Sequence, residues 1–155
     1  MKSSLFFKNA KLLNQKLSII PLIYGSSGLE YITGESLDAC DIDILIPEVF
    51  INDRWNELKK VLDDAGYVLT DEHEHTFKKE GIDYSYASLE ELKPFAGISP
   101  FELEEKEKEG ARFLVLSLEQ YKKVYLKSQK DGYRINVRKK KDSEKLSFIE
   151  GYLKR

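Results

Sequence analysis

The sequence predicts an α/β (α+β) fold with a short C-terminal helical tail, and three observations carry the prediction. Apolar residues recur at helical spacing near the N-terminus, between residues 55 and 65, and after Ser117. Between these stripes lie short apolar or alternating runs of strand length, at Ile19 to Tyr24, Asp41 to Pro47 and Phe113 to Leu116. The length of 155 residues suits one domain. A domain of that size buries roughly 68–70% of its unfolded surface and can hold a core unaided. The domain is read as 1–155, with a core over about 1–116 and C-terminal helices over about 117–155.

The elements follow in order. Leu5, Phe6, Asn9, Leu12, Leu13 and Leu17 form a helical stripe, opened by Ser3 or Ser4 as cap. The apolar run from Ile19 to Tyr24 reads as a buried strand that begins after Pro21. Gly25-Ser26-Ser27-Gly28 breaks it, Leu29 to Ile32 supply one or two helical turns, and Gly34 closes them before a polar loop to Cys40. Asp41 to Pro47 alternates aspartates with isoleucines, the period of a strand. Trp55, Leu58, Leu62 and Ala65 give the next helix, with Gly66 as its C′ residue. Tyr67 to Leu69 is a short strand. Thr76 to Lys79 and Ile82 to Ala87 flank Glu80-Gly81 as a tight hairpin.

Leu89 to Leu92 reads as one helical turn stopped by Pro94, and the charge run Glu102 to Glu109 as a solvated helix or loop. After the strand at Phe113 to Leu116, Ser117-Leu118-Glu119-Gln120 has the pattern of a capping box. The helix it opens carries Tyr121, Val124 and Tyr125. Lys130-Asp131-Gly132 breaks it, and a final helix carries Leu146, Ile149 and Leu153.

Composition narrows the function classes. Hydrophobic residues make up 41% and charged residues 34%, a soluble globular balance, and a formal net charge of −2 supplies no global field for nucleic acid. A single cysteine, Cys40, excludes an intramolecular disulfide and a structural zinc site of the usual kind. The run Leu5-Phe6-Phe7 is too short for the apolar core of a secretion signal, and no stretch approaches a transmembrane helix in length. The expected location is therefore cytoplasmic, with no membrane partner.

The chemistry concentrates in one stretch. Asp41 and Asp43 lie two apart on a strand, so both project from one face while Ile42, Ile44 and Ile46 project into the core. Adjacent ionised carboxylates repel unless a cation or water intervenes, and a hard divalent cation such as magnesium satisfies them. Taken alone, the pair is equally a solvated strand end. The preceding strand, however, ends in Tyr24-Gly25-Ser26 before a helix, a turn whose amides and serine hydroxyl can receive phosphate oxygens. The turn fits neither a P-loop nor a G-x-G-x-x-G loop.

The run Y-G-S-S-G-L-E-Y-I-T-G-E-S-L-D-A-C-D-I-D-I-L-I-P resembles the signature of the nucleotidyltransferase superfamily, and more closely its minimal, antibiotic-type (lincosamide nucleotidyltransferase-like) branch. The strong part of the likeness spans Ile20 to Pro47. It implies a mixed sheet covered by helices, and transfer of a nucleoside monophosphate from a nucleoside triphosphate (NTP) to an acceptor hydroxyl. Phosphates would sit at Gly25, Ser26 and Ser27, with Mg²⁺ (or Mn²⁺) on Asp41 and Asp43. A third carboxylate on a neighbouring strand is implied too, as metal ligand or general base. Asp83 is the best match, sharing a strand face with Ser85 opposite Ile82, Tyr84 and Tyr86. The tail Arg138-Lys139-Lys140-Lys141-Asp142 resembles a basic element of that branch, which puts Arg138 and Lys141 on the phosphates. The same residues serve equally as a solvated helix start.

The resemblance leaves the acceptor open. One alternative is a toxin-like nucleotidyltransferase that modifies RNA or protein, with Arg134 to Lys141 as the contact patch. Another is a non-catalytic nucleotide-binding or dimerisation module. Among the remaining polar residues, His73 and His75 read as surface histidines near the site rim, since no third ligand joins them. Cys40 reads as a small packing residue. Tyr84 or Tyr86 could stack on a base instead of filling the core.

Overall fold

Strand β2 (Asp41–Ile46) is the axis of the molecule, and its alternation sorts the two faces of the sheet. A computed structural model describes residues 3–130 and 132–154, with side chains described outside 130–142. Ile42, Ile44 and Ile46 are fully buried on one face. Asp41, Asp43 and Leu45 take the other.

The described residues form an open, mixed seven-stranded sheet in the order β3-β4-β5-β2-β1-β7-β6, with β2 at its centre. The other strands are β1 (Leu22–Tyr24), β3 (Val68–Asp71), β4 (Thr76–Lys79), β5 (Ile82–Ser88), β6 (Glu104–Lys108) and β7 (Ala111–Val115). β2 runs antiparallel to β1 but parallel to β5, and β1 runs parallel to β7. Among the described residues the α-helices are α1 (Ser3–Leu17), α2 (Gly25–Thr33), α3 (Trp55–Asp64), α4 (Leu92–Ala96), α5 (Leu118–Lys130) and α6 (Gly132–Leu153). None of them is long and apolar enough to cross a membrane.

Each face has its own core. Phe6, Ala10 and Leu13 of α1 and Leu58 and Leu62 of α3 pack on the β2 isoleucines, with Phe77, Tyr84, Tyr86 and Phe113. These helical residues recur at intervals of three and four, which lays them on one stripe. On the opposite face Leu22 pairs with Leu45 across β1 and β2. They pack with Leu92 of α4, Tyr121, Val124 and Tyr125 of α5, and Leu146 and Ile149 of α6. This second core covers the sheet only from Leu45 onward, so Asp41 and Asp43 lie beyond its edge.

Two segments depart from the reading of the sequence. Pro94 does not stop a helix; it sits in the first turn of α4, where no intrahelical donor is needed. Gly97, at φ 72°, ends that helix by donating its N–H to the carbonyl of Lys93. The charge run is neither helix nor loop. Glu104–Lys108 is a fully exposed edge strand, paired to β7 through a turn at Glu109-Gly110. Its charges face solvent on both sides, which discourages pairing with another chain. The Ser117 capping box is present as expected: Ser117 Oγ accepts from the Gln120 amide at 3.1 Å, and Gln120 Oε1 accepts from the Ser117 amide at 2.8 Å.

Candidate functional site

Two parallel strands bring the carboxylates together. β2 and β5 pair with Asp41 opposite Asp83 and Asp43 opposite Ser85, so all four side chains leave the sheet on one face. Asp41 is exposed, whereas Asp43, Asp83 and Ser85 are half-buried. Asp83 Oδ1 is shielded from solvent and accepts no hydrogen bond from the described residues. Among the described residues it forms an ion pair with Lys78, directly across the β4–β5 hairpin, whose Nζ lies 3.7 Å away. That ion pair is visible only once the hairpin register is known.

The glycine turn abuts the second carboxylate. β1 ends at Tyr24, paired with Asp43, and Gly25 opens α2 at φ 62°. A Cβ at this position would lie 2.6 Å from Asp43 Oδ2. The left-handed backbone favours glycine, and any larger residue would displace the Asp43 carboxylate. Ser26 follows on the same rim, and Gly25, Ser26, Asp41, Asp43 and Asp83 all line one cleft of about 850 Å³. Ser27 does not join them. It is buried, and its Oγ donates to the Tyr24 carbonyl at 3.3 Å.

The loop between α2 and β2 is held by a residue that the sequence reading passed over. Glu30 is buried, and its Oε2 accepts from the amides of Leu37 at 2.6 Å and Ala39 at 3.4 Å. The carboxylate thus gathers the backbone just before Asp41. Cys40, expected to be a packing residue, is exposed instead, and its thiol donates to the Asp38 carbonyl. Cys40 lies in the loop just before β2, where its side chain has no core to enter.

The opposite wall of the cleft is aromatic. Tyr24, Tyr121 and Tyr125 stack in sequence, with centroid separations of 6.5 and 6.0 Å, and Phe95 stands beside them on α4. The Tyr121 hydroxyl donates to the Gly25 carbonyl at 3.1 Å. Burial pushes its phenol well above the usual tyrosine range, and charge on Tyr125, Tyr24 and Asp43 adds to that rise. It stays a hydrogen-bond donor at any physiological pH. Lys145 of α6 also lines the cleft, 5.7 Å from the Tyr125 ring centre. Tyr84 and Tyr86, read as core residues with base stacking as the alternative, both turn into the core beneath the sheet, where the Tyr86 hydroxyl accepts from Asn9 Nδ2 at 2.6 Å.

His73 and His75 do not converge either. His73 is exposed, and His75, at φ 54°, lays its ring edge-on to Trp55 at 4.7 Å. The side chains of Arg138 and Lys141 lie outside the described residues. Among the described residues, no three His, Cys, Asp or Glu side chains are gathered closely enough to hold a metal ion between them. What the cleft offers is an open set of carboxylate and hydroxyl oxygens, and two enclosed ones, Asp83 Oδ1 and Ser88 Oγ, have no hydrogen-bond partner among the described residues. That donor chemistry fits a hard divalent cation and does not suit a soft one.

The chain is 43% identical over 144 residues to the uncharacterized protein YnaI of Bacillus subtilis (strain 168), a match that spans 93% of this chain and 92% of that relative. No protein-family model matches the chain. No solved structure matches it either.

Proposed function

The chain belongs to one family with YnaI of Bacillus subtilis, and for this member we propose metal-dependent nucleotidyl transfer on a nucleotidyltransferase-like fold. The proposed reaction moves a nucleoside monophosphate from an NTP to an acceptor hydroxyl. The observation that carries this reading is the register of β2 and β5. It sets Asp83 opposite Asp41, on the face where Asp43 abuts the Gly25 turn. Asp41 and Asp43 would hold Mg²⁺ or Mn²⁺, which leaves Asp83 for proton transfer. Bound there, the cation would offset phosphate charge and lower the cost of developing negative charge on oxygen.

The chain's own groups divide the remaining work. Amides and the hydroxyl at Gly25 and Ser26 receive phosphate oxygens at the start of α2, where the helix dipole favours an anion. The aromatic wall supplies flat apolar surface for the base or the acceptor and keeps bulk water off the carboxylates. Asp83 accepts the proton of the attacking hydroxyl as general base, while pyrophosphate departs. A cleft of about 850 Å³ accommodates a ligand of drug-like size or larger.

One observation favours a second reading, a binding module without turnover. Lys78 beside Asp83 compensates the third carboxylate with an internal cation. The two readings separate in one experiment. Each NTP, labelled at its α-phosphate, is incubated with the protein, Mg²⁺ and cell extract. A labelled product that disappears with Asp41→Asn supports transfer. Metal-dependent NTP binding with no labelled product from any nucleotide defeats it in favour of the module.

A further inference from the structure

We infer that Tyr121 is a positioning residue of the phosphate turn, and that the C-terminal helices hold α2 by both of its ends. The inference rests on the nucleotidyl-transfer reading of the cleft. Tyr121 lies 96 positions beyond Gly25 in sequence, yet its hydroxyl donates to the Gly25 carbonyl at 3.1 Å. At the other end of the same helix, the Tyr152 hydroxyl of α6 donates to the Thr33 carbonyl at 2.8 Å. Gly25 and Thr33 are the first and last residues of α2. The two bonds therefore bracket the helix that presents the turn.

The Tyr121 bond has a consequence that its counterpart lacks. The peptide between Gly25 and Ser26 is trans, so the Gly25 C=O and the Ser26 N–H point in opposite directions. Fixing the carbonyl toward α5 fixes the orientation of the Ser26 amide. The restraint matters here because Gly25, at φ 62°, is the residue of the turn held in the left-handed region, and as a glycine it has wide backbone freedom. The sequence also makes room for the hydroxyl. A Cβ at Gly28 would lie 2.1 Å from the Tyr121 oxygen and 2.7 Å from the Ile23 carbonyl oxygen, so Gly28 leaves the space this side chain occupies. Tyr121 itself is almost wholly buried, and its ring is flanked by those of Tyr24 and Tyr125, which leaves the hydroxyl little freedom to seek another partner. Tyr121 does not touch the reacting atoms in this reading; it acts through the Gly25–Ser26 peptide.

The test compares Tyr121→Phe with Tyr152→Phe in the full chain. Both keep the ring and remove one hydroxyl bond to a carbonyl of α2. The probes are Mn²⁺ alone, then tripolyphosphate with Mn²⁺, which reports phosphate binding without a base. Hydrogen exchange at the Ser26 and Ser27 amides is read without ligand. Tyr121→Phe is expected to weaken tripolyphosphate about two- to tenfold, the worth of one net hydrogen bond, and to speed exchange at those amides by a similar factor. Affinity for Mn²⁺ alone should hold within about twofold, since the carboxylates stand on strands. Tyr152→Phe should leave both tripolyphosphate affinity and exchange at the turn as in the wild type. Equal effects of the two variants, or uniformly faster exchange along the chain, would make Tyr121 merely structural and overturn the inference. If the wild type binds no tripolyphosphate, the phosphate reading falls and takes this inference with it. If the wild type binds and Tyr121→Phe changes neither readout, the inference fails alone.

Discussion

Replacing Gly25 with alanine tests the contact on which the site is built. Two costs are separable in the structure. The first is conformational: a side chain at φ 62° costs about 1–2 kcal/mol relative to glycine. The second is steric. The added methyl would sit 2.6 Å from Asp43 Oδ2 and 3.4 Å from its Cβ and Cγ, so the carboxylate must swing away. A carboxyl tip moves cheaply, so the folding cost stays near the conformational one. For a chain of this size that is a fall in Tm of about 2–8 °C. Gly34 supplies the control. It has φ 75°, and a Cβ there would meet nothing within 4 Å. Gly34→Ala should therefore show the same melting penalty without the displacement.

The assay pairs thermal melts with calorimetric titration of Mn²⁺ in the presence of tripolyphosphate. Gly25→Ala should lose about 10- to 100-fold in metal affinity, the range for disturbing the support of a ligating group. Gly34→Ala should lose none. Equal affinities in the two variants would show that Asp43 does not ligate, or that its position does not matter, and the site as argued would fail.

Other expectations follow from the same geometry. Asp83→Asn should cut turnover about 10²–10⁴-fold with a much smaller change in nucleotide affinity; a variant as active as the wild type in a working transfer assay would remove Asp83 from the chemistry. Tyr86→Phe removes the acceptor 2.6 Å from buried Asn9 Nδ2 and should destabilise by about 1–3 kcal/mol in urea melts. Adding Asn9→Leu should restore much of that loss, and a double variant weaker than Tyr86→Phe would refute the assignment. Burial pushes Tyr84 up to about 12 and raises Tyr67 and Tyr86. In the unfolded chain these phenols ionise near their usual value, so their contribution to stability is whole below about pH 10. It is lost as pH rises toward 12, at roughly 1.4 kcal/mol per pH unit for each tyrosine kept neutral. Urea melts of equal midpoint at pH 9 and pH 11 would contradict this.

The parts of the fold legible in the sequence are those decided by local pattern. The isoleucine alternation of β2, the spacing in α1 and α3, and the Ser117 capping box each state their own conformation within a few residues. The Lys-Glu-Gly triplet shows where such reading stops. At 79–81 it lies between alternating apolar residues and was legible as a hairpin. At 108–110 the same triplet joins β6 to β7, with Glu109 at φ 51° and Gly110 at φ 81°. Glu104–Lys108 carries no apolar residue, so no periodicity marks it as a strand. Pairing to β7 alone makes it one, and that is a tertiary fact. Pro94 misled in the opposite direction, because a proline reads as a stop unless the start of the helix is already known.

The candidate site divides along the same line. Asp41, Asp43 and Gly25 are separated by one strand, one short helix and a loop, and chain alternation alone puts both aspartates on one face. Asp83 arrives through a crossover that passes α3 and the β3–β4 pair. Alternation settles which face it takes, but only the parallel register settles that it stands opposite Asp41 rather than two residues away. The groups that alternation could not supply are Lys78, Glu30 and Tyr121. A lysine on a hairpin, a glutamate in a short helix and a tyrosine on an amphipathic stripe each have an ordinary local explanation. Each acquires its role from partners distant in the local pattern: the Asp83 carboxylate, the Leu37 and Ala39 amides, and the Gly25 carbonyl. The helices after Ser117, read as a tail, are thereby tied into the site. Tyr121 and Tyr152 place them on both ends of α2, so shortening the chain before α6 would strip one hydroxyl bond and the Leu146 and Ile149 contacts from the second core. The glycine turn is bonded to those helices through the Tyr121 hydroxyl as well as joined to the strand that precedes it.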